Sequence, residues 1–336
     1  MKKLAILIIA AVLLYAENDV ISTYLDNIKV GDPVEYKNLK IFPLIAGKTL
    51  SLQNYITMDE ATDKNWLQIK ELGSGNVNSV QIKNNGSSMV FILTGEMISG
   101  AKQDRMLKED VLLPSKSGWI EVPVYCVEHG RWTSVSAEFK SEKLLVPNAV
   151  RQAAKLSESQ AEVWDEIASS QDHLGIASET RTVRANYEDA EMQKKIGEYT
   201  NKFEKLPSLS KSTIGVVVST GDRIICFDLF ANNSLLSKYW KKLLKSYAMD
   251  GISGEKSSID KGTIESLCEA LTNTRQVSRG TAGKGETFEL TADFGKGSAL
   301  VYQSAVVHMD FFPTENIIDN DTDLRLDLRR DQRINQ

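Results

Sequence analysis

Short strand-like segments joined by short connections dominate the first part of this chain, and they restrict the sheets that it can form. Residues 66–71 alternate apolar and polar side chains, and residues 89–93 form a continuous apolar run that predicts a buried strand. Residues 84–86, Asn-Asn-Gly, are typical of a tight hairpin turn. Parallel strands need a crossover of about a dozen residues, which these connections are too short to supply. We therefore predict an antiparallel, β-rich part over residues 17–147.

Helical periodicity follows over residues 148–207, where apolar residues recur at the spacing of a helix face up to Gly175 and again at 187–203. Residues 208–318 predict a second part with a long helix that has Ser234 as its N-cap and a shorter helix at 263–273. Strands are predicted there as well, including one at 288–293 and one at 299–312. Residues 319–336 form a charged tail. Because strands and helices do not alternate regularly, we predict an α+β fold with a central helical insertion, not a doubly wound parallel sheet.

The N-terminal segment predicts export. Lys2 and Lys3 precede an apolar run at residues 4–14, and Ala16 is followed by polar residues, the pattern of a secretory signal peptide over residues 1–16. The run is shorter than the roughly 20 residues that span a bilayer. We expect a periplasmic or extracellular protein without a membrane span after cleavage. A retained N-terminal anchor is the alternative.

Composition excludes several classes of protein. The chain is 42% hydrophobic and 25% charged, which is typical of a globular protein, and its net charge of −5 argues against non-specific binding of nucleic acid. The three cysteines, Cys126, Cys226 and Cys268, are too widely spaced for a CxxC site, and with only three histidines the sequence predicts no metal site. The sequence identifies no cofactor and no protein partner.

A dense polar segment directly after the predicted buried strand suggests anion binding. It contains Glu96 and the GAKQDR segment (residues 100–105), in which Lys102 and Arg105 can neutralise an anion and Gln103 can hydrogen-bond it. Glycines at 95 and 100 allow close approach of the backbone. No GKS or GKT follows, so the segment is not a P-loop. The alternative interpretation is a solvated turn with local salt bridges.

The CVEHGRW segment (residues 126–132) is the second polar cluster. On a strand, Cys126 and Glu128 point to the same face, while Arg131 and Trp132 lie just past the strand end. Cys126 beside a basic group could act as a thiolate nucleophile, although packing as a small buried hydrophobe is the favoured interpretation. We expect Glu128 to be exposed at the strand end or paired with Arg105 or Arg131.

Weaker candidates lie in the second half of the chain. Asp228 is either a site carboxylate or a strand terminus, and His308, in an apolar strand, is interpreted as a core histidine. The lysines of the long predicted helix stand opposite its apolar stripe and predict a solvated face, formed by Lys238, Lys241, Lys242 and Lys245. Anion binding by this face is the alternative.

At these segments the chain resembles a bacterial family of uncharacterised proteins, named for its association with ADP-ribosylglycohydrolases and rhodanese-phosphatase proteins. The resemblance rests on LTGEMISGAKQDR (93–105), IEVPVYCVEHGRW (120–132), AEVWDEI (161–167), the stretch 228–250 and VVHMDFF (306–312). Asp104 stands where the family pattern leads us to expect asparagine. The resemblance implies no particular reaction. The name of the family suggests ADP-ribose or NAD-linked metabolism.

Two functions are compatible with these residues. The first is an exported enzyme or binder of a small anionic ligand, such as a nucleotide or an ADP-ribose derivative. Its site would be formed by Glu96, Lys102, Gln103, Arg105, Glu128, Arg131 and Trp132, with Glu128 or Glu96 as general base and Cys126 as an alternative nucleophile. The second is a non-catalytic envelope module in which the same residues form a structural salt-bridge lock. Both hypotheses require the two segments to meet in space.

Overall fold

The computed structural model describes residues 20–73 and 78–314, and its fold is α+β, as predicted. The predicted signal peptide (1–16) and charged tail (319–336) lie outside these residues. Within the described part of the chain, no helix is long and apolar enough to cross a membrane.

The elements follow one another in three groups. The first comprises α1 (20–26), β1 (Ile28–Val30), β2 (Val34–Tyr36), β3 (Leu39–Ala46), β4 (Ile56–Thr57), α2 (Met58–Asp63), β5 (Leu67–Glu71), β6 (Ser79–Asn84), β7 (Val90–Ile92), β8 (Glu96–Gly100), β9 (Arg105–Leu107), β10 (Val111–Leu113), β11 (Ile120–Cys126) and β12 (Glu138–Leu145). The helical group comprises α3 (Asn148–Ser157), α4 (Gln160–Leu174), α5 (Arg184–Glu188) and α6 (Ala190–Phe203). The last comprises β13 (Thr213–Thr220), β14 (Arg223–Phe230), α7 (Asn233–Ser253), α8 (Lys261–Thr272), β15 (Arg275–Arg279), β16 (Glu286–Ala292), β17 (Gly295–Tyr302) and β18 (Ala305–Pro313).

A nine-stranded antiparallel sheet joins the two ends of the described chain. Its order is β1-β3-β13-β14-β18-β17-β16-β15, with β2 beside β3. The pairing of β3 with β13 places strands from both predicted sheet-containing parts in one sheet.

Six further strands close into a barrel in the order β11-β6-β5-β12-β8-β9, all antiparallel. The apolar side chains of its interior include Ile69, Ile98, Leu107 and Val124. A small sheet, β10-β7-β4, packs beside it and contains the parallel pair β4–β7. The long helix α7 is largely buried, and its apolar side chains belong to the core shared with the large sheet and the outer face of the barrel.

Four local predictions are wrong in instructive ways. Asn84 to Gly86 does not form a hairpin between β6 and β7, because β6 pairs with β5 and β11, and the Asn84 amide instead donates to the carbonyls of Ser88 and Pro114. The N-cap of α7 is Asn232, whose side chain accepts the N–H of Leu235, and not Ser234. The predicted helix up to Gly175 is two helices, since Glu158 between them is left-handed. The predicted strand over 299–312 is likewise two strands, β17 and β18.

Candidate functional site

The GAKQDR and CVEHGRW segments meet at one end of the barrel and form an ionic cluster, which we call the Glu128 network. The Arg131 guanidinium lies 2.6 Å from the Glu128 carboxylate and 3.0 Å from that of Asp104. The other oxygen of Asp104 lies 3.0 Å from Nε of Arg184. Asp104 and Glu128 are buried, whereas 15% of the Arg131 side chain is exposed. Two carboxylates and two guanidinium groups therefore balance one another.

Neutral donors complete the network. Thr180 and Thr182 donate their hydroxyls to Glu128 and Asp104, at 2.9 and 3.1 Å. Gln103 donates its amide to the Glu128 carbonyl at 2.8 Å. Although burial opposes ionisation, hydrogen bonds from Arg131 and from the Asp104 N–H hold the pKa of Glu128 below its ordinary value. Burial and the neighbouring Glu128 carboxylate raise the pKa of Asp104.

The aromatic residues of the CVEHGRW segment differ in their surroundings. Trp132 is 53% exposed, and the Lys102 ammonium lies 5.1 Å from its ring centroid. His129 packs against Trp164 of α4, with 4.2 Å between ring centroids. Arg131 itself donates to the carbonyls of Ala101 and Thr133, at 2.9 and 3.0 Å, and 15% of its side chain is exposed.

Arg105 and Cys126 lie one layer deeper, opposite each other on β9 and β11. Both are buried, and the Cys126 thiol donates to the Glu128 carbonyl at 3.2 Å. Burial raises the pKa of the Cys126 thiol, so the group is protonated at neutral pH. Nη1 of Arg105 donates to Gln103 at 3.1 Å, while its Nε and Nη2 have no hydrogen-bond partner among the described residues.

Glu96 belongs to a different cluster. It begins strand β8, whose other end carries Gly100, and its carboxylate pairs with Lys242 of α7. Lys242 also lies 2.9 Å from Asp59 of α2. Although burial opposes its charge, these two carboxylates raise the pKa of Lys242. The predicted solvated face is therefore wrong for Lys242, which is 5% exposed because it supplies the counter-charge for a buried acid.

A fully buried network centred on Asp228 was not predicted as a unit. Arg151 donates two hydrogen bonds to Asp228, which also accepts from Tyr247. The two ring nitrogens of His308 lie 3.2 Å from Asp228 and 2.7 Å from Asp110. The sequence signal was the presence of Asp228 and His308 within otherwise apolar strands, because ionisable groups persist there only when they are paired.

A cavity of about 600 Å³, which we call the Asp250 cavity, lies elsewhere in the fold. None of its lining residues belongs to the GAKQDR or CVEHGRW segment. Helices α3, α4 and α7 and the β13–β14 turn line it, with polar side chains from Gln152, Glu166, Ser169, Ser170, His173, Thr220, Arg223, Asp250 and Ser253.

Asp250 is the most perturbed carboxyl of this cavity. Burial, and then the nearby Glu166 carboxylate, raise its pKa to about 7, although a hydrogen bond from the Ala149 N–H opposes the shift. Its Oδ2 is buried without a hydrogen-bond partner in the described residues. Burial also raises the pKa of Glu166. Sequence reasoning missed both acids, which lie on different helices and form no motif.

Comparisons with known proteins agree with the resemblance inferred from the sequence. The domain described as ARG and Rhodanese-Phosphatase-superfamily-associated Protein, or ARPP-1, matches residues 27–312. A comparison with curated proteins found no match, and a comparison with solved structures found none. Because the match covers most of the chain, the protein belongs to the ARPP-1 domain family.

Proposed function

We propose that this protein binds a small ribose-bearing ligand, such as a nucleotide or an ADP-ribose-like compound, in the Asp250 cavity. The observation that carries the proposal is a buried carboxyl with an unpartnered oxygen at a cavity of suitable size. Small-molecule sites typically measure about 300–1,000 Å³ and contain a few well-placed polar groups among apolar ones.

The polar lining supports this ligand class. In dinucleotide-binding α/β folds an Asp or Glu carboxylate accepts a hydrogen bond from a ribose hydroxyl, and Asp250 and Glu166 supply two carboxylates here. Ser169, Ser170 and Ser253 add hydroxyls that can both donate and accept. The family name, with its association to ADP-ribose metabolism, points to the same class by analogy.

For the Glu128 network we propose the structural role. Its carboxylates and guanidinium groups neutralise each other, so an incoming anion would have to displace Glu128 or Asp104 from Arg131. Removing one partner of such a pair leaves an uncompensated buried charge, which is strongly unfavourable. These contacts support a salt-bridge lock between the two segments and the loop that carries Thr180 and Thr182.

A melting-temperature screen tests the ligand proposal. At pH 8.5, where Asp250 is ionised, we expect adenosine, AMP or ADP-ribose to raise the melting temperature, while 2′,3′-dideoxyadenosine, which lacks the vicinal hydroxyls, should not. Asp250→Asn should weaken the response, and Asp165→Asn, at an exposed position on α4, should leave it unchanged. A response that persists in Asp250→Asn, or no response to any ribose compound, would contradict the proposal.

We also propose that the protein is exported, because of the signal-peptide pattern of residues 1–16. Mature protein isolated from the envelope fraction should begin near Glu17 when its N-terminus is sequenced. Intact chain starting at Met1 in the cytosol would contradict this assignment.

A further inference from the structure

We propose that Arg105 binds a small oxyanion at the end of the barrel, with the two oxygens held by its Nε and Nη2. This site is separate from the Asp250 cavity and does not depend on the function proposed for it.

The two unpartnered donors of Arg105, Nε and Nη2, have the geometry that binds an oxyanion through two oxygens. Nε and Nη2 lie on one edge of a guanidinium and present parallel N–H groups, the fork that carboxylate and phosphate oxygens accept in pairs. Among the described residues these are the two Arg105 nitrogens without a hydrogen-bond partner, while Nη1 contacts Gln103 and the Asp104 carbonyl. One complete binding edge of the guanidinium therefore has no protein partner in the described chain.

The side chain points into the barrel. Arg105 is the cross-strand partner of Ile98 on β8 and of Cys126 on β11. Ile98 and Leu107 belong to the interior cluster, and alternation along β9 places Arg105 on the same side as Leu107. Arg105 has no exposed surface, so water outside the protein does not solvate its charge.

Its counter-charge is missing. The Glu71 carboxylate attracts the Arg105 guanidinium from a distance. No acid in the described chain lies within ion-pair distance of Arg105. The Glu71 carboxylate instead accepts the N–H of Lys102 at 3.2 Å. Asp104 and Glu128 are engaged with Arg131, and the Cys126 thiol is protonated.

At Arg151, which is also buried, the protein itself provides the anion. Arg151 donates to both carboxylate oxygens of Asp228, at 3.0 and 2.7 Å. A buried charge is tolerated when it is paired and unfavourable when it is alone. At Arg105 the counter-charge that a buried guanidinium requires is provided by an anion from solution.

Formate and phosphate serve as probes, with chloride at equal ionic strength as the reference. In wild-type protein we expect each oxyanion to raise the melting temperature with a saturating dependence on concentration. Arg105→Met should retain only the non-saturating salt effect that any protein shows. A response of the same size and shape in both proteins overturns the proposal.

A second measurement does not depend on the folding of Arg105→Met. The ¹⁵N–¹H signal of Arg105 Nε, assigned by its absence in Arg105→Lys, should shift during titration of wild-type protein with formate or phosphate. The Nε signal of Arg151 should stay fixed: this Nε also has no hydrogen-bond partner in the described chain, but Nη1 and Nη2 of the same guanidinium already hold Asp228. An Arg105 signal unmoved by both anions overturns the proposal.

Discussion

Arg151 on α3 and Asp228 on β14 form a bidentate ion pair that is excluded from solvent, with 1% of one side chain and none of the other exposed. The pair fixes the first helix of the central insertion to the middle of the large sheet. Although burial opposes ionisation of Asp228, Arg151 and His308 hold its pKa below the ordinary value. The insertion is thereby attached to the sheet by charge as well as by apolar packing.

Arg151→Met should destabilise the protein by about 3–5 kcal/mol, because it leaves the Asp228 carboxylate buried without its cation. Arg105→Met is the matched variant, since it removes an equally buried arginine that has no carboxylate partner in the described chain. In chloride buffer it should change stability by less than about 1 kcal/mol or increase it. Urea unfolding of both variants measures the difference, and equal losses would contradict the distinction.

His308 should make stability decrease at alkaline pH. Although burial lowers the pKa of His308, the carboxylates of Asp110 and Asp228 raise it from 6.5 to about 9. Because the folded-state pKa lies above the unfolded value, this stabilisation is complete below pH 6.5 and is lost as pH rises through 9. Its full size is on the order of 3 kcal/mol.

The measurement is the free energy of unfolding of wild type and His308→Gln between pH 6 and pH 10. The variant should be less stable at pH 6, and the difference from wild type should shrink as pH rises. His173→Gln, at an exposed position, is the control and should follow the wild-type curve. A difference that is independent of pH would mean that His308 is neutral in the folded state.

Cys126→Ser should lower the free energy of unfolding by about 1 kcal/mol, because the thiol is packed and its pKa is raised by burial. In native protein at neutral pH, a thiol reagent should modify Cys126 no faster than Cys226, which is also buried. Rapid and selective labelling of Cys126 would reveal an ionised thiol and revive the nucleophile hypothesis.

Local patterns predicted the fold class because strand alternation and short connections directly restrict sheet pairing. They failed where the backbone conformation is unusual for the residue type. Gln303 and Ser304 both adopt positive φ, 50° and 56°, and turn β17 into β18 without the glycine or asparagine that normally marks such a turn. Strand β12 was missed because most of its side chains are polar or charged and face outward.

The meeting of the GAKQDR and CVEHGRW segments could be inferred because both lie at the ends of antiparallel strands of one sheet, β8 and β11, which flank β9 in the barrel. The Asp228 network could not, since Asp110 and His308 are 198 residues apart and Arg151 and Asp228 are 77 apart. Lys242 was misjudged for the same reason. Lys242 lies on a helix face that is polar in sequence, but its ammonium group is paired with acids from two other elements, α2 and β8.

The coupling energy of the Glu128–Arg131 pair distinguishes a structural lock from a solvated surface contact. Glu128 is 3% exposed and Arg131 15%, so solvent screens their attraction less than at the surface. In a double-mutant cycle with Glu128→Gln and Arg131→Met we expect a coupling energy above about 1 kcal/mol. Lys143 and Asp63, which are 51% and 61% exposed, provide the reference pair on the same molecule.

That reference cycle should give a coupling between zero and about 0.5 kcal/mol, as exposed pairs usually do. Equal couplings for the two pairs would mean that the Glu128 network does not stabilise the barrel end. Urea unfolding of the single and double variants provides both values. Arg184→Gln, which removes the second cation of Asp104, should lower stability further in the Arg131→Met background, because Asp104 then keeps no cation in the described network.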